Sequence, residues 1–210
     1  MKKLMFAAVL AAMSLVPSMA EGKLSVDKNG TISGGGVTFR MTCVNKSWAW
    51  RDNRKFKNIN STEKDGACEM KAESAIGDCR IGVSQSVSAE ENGYRSVNGK
   101  FTFAPAHDIA RCAYNVDFEV DKTSVEIDGK KLNFDKMKKK GIIFYKKSAK
   151  VLIRSSEKSE LELLLPNTVV SIERLAGKNS GKASLKLLFS GSTGSLTESS
   201  CSFKAKVNFL

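Results

Sequence analysis

Three segments alternate strictly between apolar and polar side chains, and that rhythm restricts the chain to extended structure. In VTFRMTC, Val37, Phe39, Met41 and Cys43 share one face, while Thr38, Arg40 and Thr42 share the other. In CAYNVDFEV the apolar row is Cys112, Tyr114, Val116, Phe118 and Val120, with Asn115, Asp117 and Glu119 turned away. In CSFKAKVNF the row is Cys201, Phe203, Ala205, Val207 and Phe209. Successive side chains of a strand point to opposite faces, so this period marks strands with one buried face.

Less regular strand-like runs cover 23–26, 67–73, 78–88, 94–103, 142–146, 149–154, 159–165, 168–175 and 183–189. SVEIDGKKLNF reads as a hairpin, with Asp128-Gly129 as the turn, Val125 and Ile127 on one arm, and Leu132 and Phe134 on the other. KNG, SGGG, ENG, VNG, GKNSGK and SGSTGS punctuate the remainder as turns. SGGGV lacks the Lys-Ser/Thr ending of a phosphate loop and reads as a turn before a strand. No stretch after residue 20 carries a helical apolar stripe. These features predict an all-β chain, an antiparallel two-sheet β-sandwich of roughly a dozen strands, with a closed barrel as the alternative. No linker divides residues 21–210, which form one domain in this reading.

Residues 1–20 read as a signal peptide. MKK is a short basic start, LMFAAVLAAMSLV is an apolar run, and Ser18 and Ala20 are small residues placed for cleavage after Ala20. The run is short for a bilayer span, so the cleaved product is not transmembrane. Glu21 follows the cut, not cysteine, so no lipid anchor is expected. The expected location is the periplasm or exterior of a bacterium. The net charge of +12 becomes +10 once Lys2 and Lys3 are removed. Such a surplus favours acidic partners.

Export permits disulfides without requiring them. The five cysteines, Cys43, Cys68, Cys79, Cys112 and Cys201, are odd in number, and several pairings are open. Burial as reduced apolar side chains is the other reading of Cys43, Cys112 and Cys201, which lie on apolar rows. No cysteine has metal-site spacing, and His107 is the single histidine, so no metal or cofactor is expected.

The most distinctive polar segment is VNKSWAWRDNRKFKN, residues 44–58. Trp48 and Trp50 fall on one face of an extended backbone, and a bend or bulge at Asn45–Ser47 accounts for the change of parity after Cys43. Two indoles can stack on the apolar C–H face of a sugar ring, with Arg51, Arg54 and Lys55 gripping carboxylates or sulfates. Burial of either indole in the core is the structural alternative. Two further basic clusters, Lys136, Lys138, Lys139, Lys140 and Lys146, Lys147, Lys150, flank GIIFY as a second anion-attracting surface or a solvated sheet edge. Nucleic acid is disfavoured by export and by the lack of a recognition helix or aromatic–basic RNA motif. Glu69, Glu73, Asp78, Asp108, Asp117 and Glu119 show no spacing that singles out an acid–base pair. His107 beside Asp108 is the remaining catalytic candidate, and no Gly-x-Ser-x-Gly elbow is present.

The segment KLSVDKNGTISGGGVTFRMTCVNKSWAW, with its short strand, NG turn, Gly-rich turn and alternating strand through Phe39, resembles the opening strands of β-sandwich accessory domains in secreted bacterial glycoside hydrolases. The resemblance covers about thirty residues. It implies a free-standing accessory domain, and it transfers no catalytic residues, because no catalytic motif of those enzymes is matched.

Together these readings describe an exported, non-catalytic β-sandwich binding carbohydrate or another acidic envelope or matrix polymer, with Trp48, Trp50, Arg51, Arg54 and Lys55 as the ligand-binding set. Two alternatives are a lyase or hydrolase acting on acidic glycan and a structural envelope or outer-membrane protein. The oligomeric state is open.

Overall fold

The computed structural model describes residues 23–137, 141–155, 158–175 and 181–210. The expected signal peptide, Lys138–Lys140 and most of the GKNSGK turn lie outside them. Among the described residues there is no α-helix, only two 3-10 turns at Asn53–Lys55 and Phe134–Lys136. No helix there is long and apolar enough to cross a membrane, which says nothing of a β-barrel.

The strands are β1 (Ser25–Val26), β2 (Ile32–Gly34), β3 (Val37–Asn45), β4 (Trp50–Asp52), β5 (Lys57–Lys64), β6 (Ala67–Ile76) and β7 (Cys79–Val87), then β8 (Arg95–Glu119), β9 (Ser124–Ile127), β10 (Lys130–Lys131), β11 (Gly141–Arg154), β12 (Ser159–Arg174), β13 (Lys182–Leu188) and β14 (Gly194–Phe209). They join into one antiparallel hydrogen-bonded network, β1-β2-β3-β8-β13-β12-β11-β9-β10. β14 bridges β12 and β8, β7-β6-β5 extend from β8, and β4 pairs with β3.

β8 organises this network. Its first part pairs with β7 and β14, and its second part pairs with β3 and β13. Gly99 and Tyr114 stand fifteen residues apart on it, which a straight strand would separate by roughly 50 Å. Instead, a Cβ placed on Gly99 would lie 2.5 Å from the Tyr114 hydroxyl oxygen. The strand therefore folds back, so that its two halves face one another across the core. Glycine at 99 provides the room for this crossing, where any larger residue would collide with the ring.

The core grows around that contact. The Tyr114 ring meets Phe203 of β14 at 5.2 Å, nearly edge-on, and Phe39 lies 6.1 Å from Phe203. The hydroxyl of fully buried Tyr114 donates to Gln85 Oε1 at 3.1 Å, and the Gln85 amide donates to the Gly30 carbonyl at 2.8 Å. Burial raises the Tyr114 phenol well above its ordinary pKa, so it stays a neutral donor.

The expected inward rows are buried through Val37, Phe39, Met41, Cys43, Cys112, Tyr114, Val116, Phe118, Cys201, Phe203 and Ala205, but Phe209 is largely exposed. Runs read as separate strands are continuous: 94–103 and 112–120 become β8, 142–146 and 149–154 become β11, and 159–165 and 168–175 become β12. Bulges account for the broken pattern. Between β3 and β8, Val44 pairs with Arg111 and Asn45 with Ile109, so Ala110 is an extra residue that shifts the inward row from odd to even numbers. The Asp128–Gly129 turn forms with positive φ at both residues, but β10 ends at Lys131, and Phe134 packs from a 3-10 turn against Phe118 at 5.7 Å.

Candidate indole hairpin and cleft

The β3–β4 hairpin is built on Asn45. Its backbone N–H donates to the Ala49 carbonyl at 3.0 Å, its side-chain oxygen accepts from the Ala49 N–H at 2.9 Å, and its carbonyl accepts from the Trp48 N–H at 3.0 Å. Lys46 ties the tip to β8 through the Asp108 carboxylate at 3.1 Å and the Asp108 carbonyl at 3.2 Å. The bend expected at Asn45–Ser47 is this turn.

Both indoles point outward, Trp48 72% exposed and Trp50 39% exposed, so neither fills the core. Trp48 has φ of 62°, in the left-handed region. Among the described residues the other non-glycine positions with positive φ are Asn58, Asp65, Asn92 and Asp128. Asn and Asp tolerate that conformation because a short polar side chain can bond the local backbone, and a bulky ring has no such compensation. Trp48 is thus a poor turn residue placed at an exposed point of the hairpin.

Register sorts the neighbouring side chains. Thr42 pairs with Asp52, Cys43 with Arg51 and Val44 with Trp50. Trp50 and Asp52 therefore share the outer face with Arg40 and Thr42, and Arg51 points the other way. On the outer face a cleft of about 300 Å³ lies between Trp48, Trp50 and Arg54 on the hairpin side and Arg40, Arg111, Asn115 and Asp117 on the sheet. On the opposite side a hollow of about 280 Å³ is lined by Arg51, Lys55, Lys57, Asn58 and Glu73. The Lys55 ammonium sits 3.5 Å from the Trp50 ring centroid, with the Arg54 guanidinium carbon at 5.6 Å, so the indole is already flanked by cations.

The cleft wall is a chain of ion pairs. Arg54 meets Asp52 at 2.6 Å, and that hydrogen bond raises the arginine pKa further. Arg40 meets Asp117 at 2.9 Å, and Arg111 meets Glu173 at 2.9 Å. Glu173 also accepts from Lys186, which is only 3% exposed, and burial pushes that ammonium's pKa down despite the carboxylate. Beside these pairs, Arg111 Nε, Asn115 Oδ1 and Ser184 Oγ are buried without a protein hydrogen-bond partner. Unsatisfied buried polar groups are rare enough that each asks for a partner.

The predicted set is divided by the fold: Trp48, Trp50 and Arg54 line the cleft, while Arg51 and Lys55 line the opposite hollow. Arg40, Thr42, Arg111 and Asn115 were missed as site residues, because on one strand at a time they read as an ordinary polar face. The other candidates do not gather into a centre. His107 Nε2 lies 3.5 Å from the Asn45 amide nitrogen, and Glu119 pairs with Lys122 at 2.6 Å. Lys146 is held by Asp128 at 3.2 Å and Lys150 by Glu162 at 2.8 Å, so much of the described part of the lysine clusters is neutralised locally. No group of His, Cys, Asp and Glu among the described residues is arranged to hold a metal. A cavity of about 620 Å³ is lined by Ser84, Ser86, Asn98, Lys100, Ser200 and Ser202 among others, and none of its lining residues is aromatic.

No family model matches the chain, and no curated protein matches it. Among solved structures, the chain is similar to an Escherichia coli K12 protein named a putative aldose 1-epimerase, at 12% identity and a TM-score of 0.47, over 72% of this chain and 69% of that one. A likeness at that level carries no argument about chemistry.

Proposed function

We propose that the chain is an exported, non-catalytic β-sandwich whose indole hairpin binds an acidic carbohydrate polymer. The observation that carries this reading is Trp48, a large apolar ring held exposed at a backbone position where it costs stability. Strain retained at a surface aromatic points to a contact made with something else. Trp50 lines the same cleft, and the alternating arginine and carboxylate groups of the wall suit sugar hydroxyls, which donate and accept together. Arg51, Lys55 and Lys57 on the far side of the hairpin outnumber Glu73 and suit carboxylate or sulfate substituents of the same polymer. The leader-like first twenty residues and the likeness to glycoside hydrolase accessory domains support the same role.

Affinity electrophoresis through gels containing an acidic polysaccharide, a neutral one or neither tests the proposal. Retardation is expected in the acidic gel, weakening as salt rises from about 0.05 to 0.3 M because exposed charges are screened. Trp48→Ala or Trp50→Ala in folded protein abolishes most of it. Equal mobility of wild type and both variants in every gel contradicts the reading, and shortening of the polymer would convert it to an enzyme.

A further inference from the structure

We infer that Cys43 and Cys112 form a disulfide across the β3–β8 ladder, directly beneath the indole hairpin. The two residues are register partners, both are 0% exposed, and both stand as free thiols in this structure, so the bridge is a covalent step beyond it. The hydrogen bonds around them define the type of pair. The Cys112 carbonyl accepts from the Phe189 N–H at 3.0 Å, so the polar backbone groups of Cys112 face β13 and not β3. Asn45, two residues beyond Cys43, directs its N–H at Ala49 on the far side of β3, so Cys43 also turns its backbone away from β8. Cys43 and Cys112 thus occupy a non-hydrogen-bonded site of an antiparallel pair, where Cα atoms approach to about 4.5 Å and side chains are closest. That separation falls within the range a disulfide spans.

The remaining cysteines lack this relation. Cys68 pairs with Glu63 and Val87, Cys79 with Ile76, and Cys201 with Gly99. The Cys79 thiol is directed at the Arg80 and Pro105 carbonyls, at 3.5 Å each. The odd count is then one bridge and three buried thiols.

The chemistry is exchange with an external disulfide, RSSR. One cysteine thiolate attacks RSSR and releases one RS⁻. The second attacks the mixed disulfide and releases the other. Cys43 and Cys112 together lose two protons and two electrons, and RSSR is reduced to two RSH. In the folded reduced chain, hydrogen bonding between the thiols and then burial push the Cys112 thiol far above the ordinary range, so little thiolate forms. Exchange therefore belongs to the folding chain, before β3 and β8 close over the pair. The bridge would hold the strand that carries the hairpin to the strand that supplies the cleft wall.

The full chain, refolded from denaturant in a reduced and oxidised glutathione buffer, is quenched, unfolded and alkylated. The expected product is 2 Da lighter than the reduced chain before labelling, accepts three alkyl groups, and yields one cross-linked peptide pair containing Cys43 and Cys112. Reductant added before unfolding lowers its melting temperature by roughly 5–15 °C. Five alkylated cysteines, or a bridge from Cys43 to Cys79, would overturn the assignment. Cys112→Ser guards against accidental pairing: it should accept four alkyl groups, and an efficient bridge from Cys43 to any other cysteine in it would also overturn the inference.

Discussion

The two faces of the β3–β8 ladder share one backbone and obey different rules. Toward the core, Phe39, Met41, Cys43, Cys112, Tyr114 and Val116 are buried at 1% exposure or less, and Tyr114 finds its partner in Gln85. Away from it, Arg40 pairs with Asp117 and Arg111 with Glu173 along a cleft that Asn115 also lines, and Arg111 Nε and Asn115 Oδ1 remain without a protein partner. The inner face is closed by the protein's own atoms and its residues answer to packing. The outer face has polar capacity that the protein does not use, next to a ring placed where folding does not favour it. The contrast is the reason the proposed binding site is assigned to the face that looked, strand by strand, like ordinary solvated surface.

The sharpest way to break this contrast is to cut each face and compare the costs. Phe203→Ala removes a ring packed on both Phe39 and Tyr114, and it should cost about 3–5 kcal/mol in urea unfolding. Arg40→Ala on the outer face should cost no more than about 1 kcal/mol, since its pair with Asp117 is partly exposed. Comparable losses would mean that the outer row is structural after all. A smaller effect of opposite sign is expected at the hairpin. Trp48→Gly relieves the left-handed strain and should raise stability by about 1 kcal/mol, while polymer retention is lost. A destabilised variant, or one with retained binding, would show that the ring serves the fold.

The alternation in β3, β8 and β14 made the inner face readable because each inward residue meets apolar neighbours whatever its partner strand is. The outer cleft was not readable, because Arg40 and Asn115 become neighbours only through register, and register depends on the bulge at Ala110. β5 was invisible for a related reason. Lys57–Lys64 is an edge strand with almost no buried side chain, so its residues carry no period of two. Trp48 and Trp50 stood out in the sequence by type, but their outward direction follows from the Asn45 turn, and so does the placement of Arg51 on the far side.

The smallest expected effect concerns pH and a third place, where outer-face polar groups are satisfied. Burial would raise the Glu162 pKa, but hydrogen bonds from Lys150, Asn208 and Tyr94 outweigh it, and the folded-state value lies below the ordinary 4.5. The carboxylate therefore contributes stability above pH 4.5 that is lost as pH falls through the folded value. Melting temperature measured from pH 7 down to 3 should fall less steeply below pH 4.5 in Glu162→Gln than in wild type. Parallel curves would remove Glu162 from the acid response.

The indole cleft can be tested through its own signal, because Trp48 and Trp50 are the chain's two tryptophans and both stand in the hairpin. Intrinsic fluorescence with acrylamide quenching, titrated with a soluble acidic oligosaccharide, reads that site alone. The account predicts red-shifted, readily quenched emission that moves to the blue and becomes protected as ligand saturates, with the response lost in Trp48→Ala. Unchanged emission and quenching at a ligand concentration where calorimetry shows the protein saturated would contradict it.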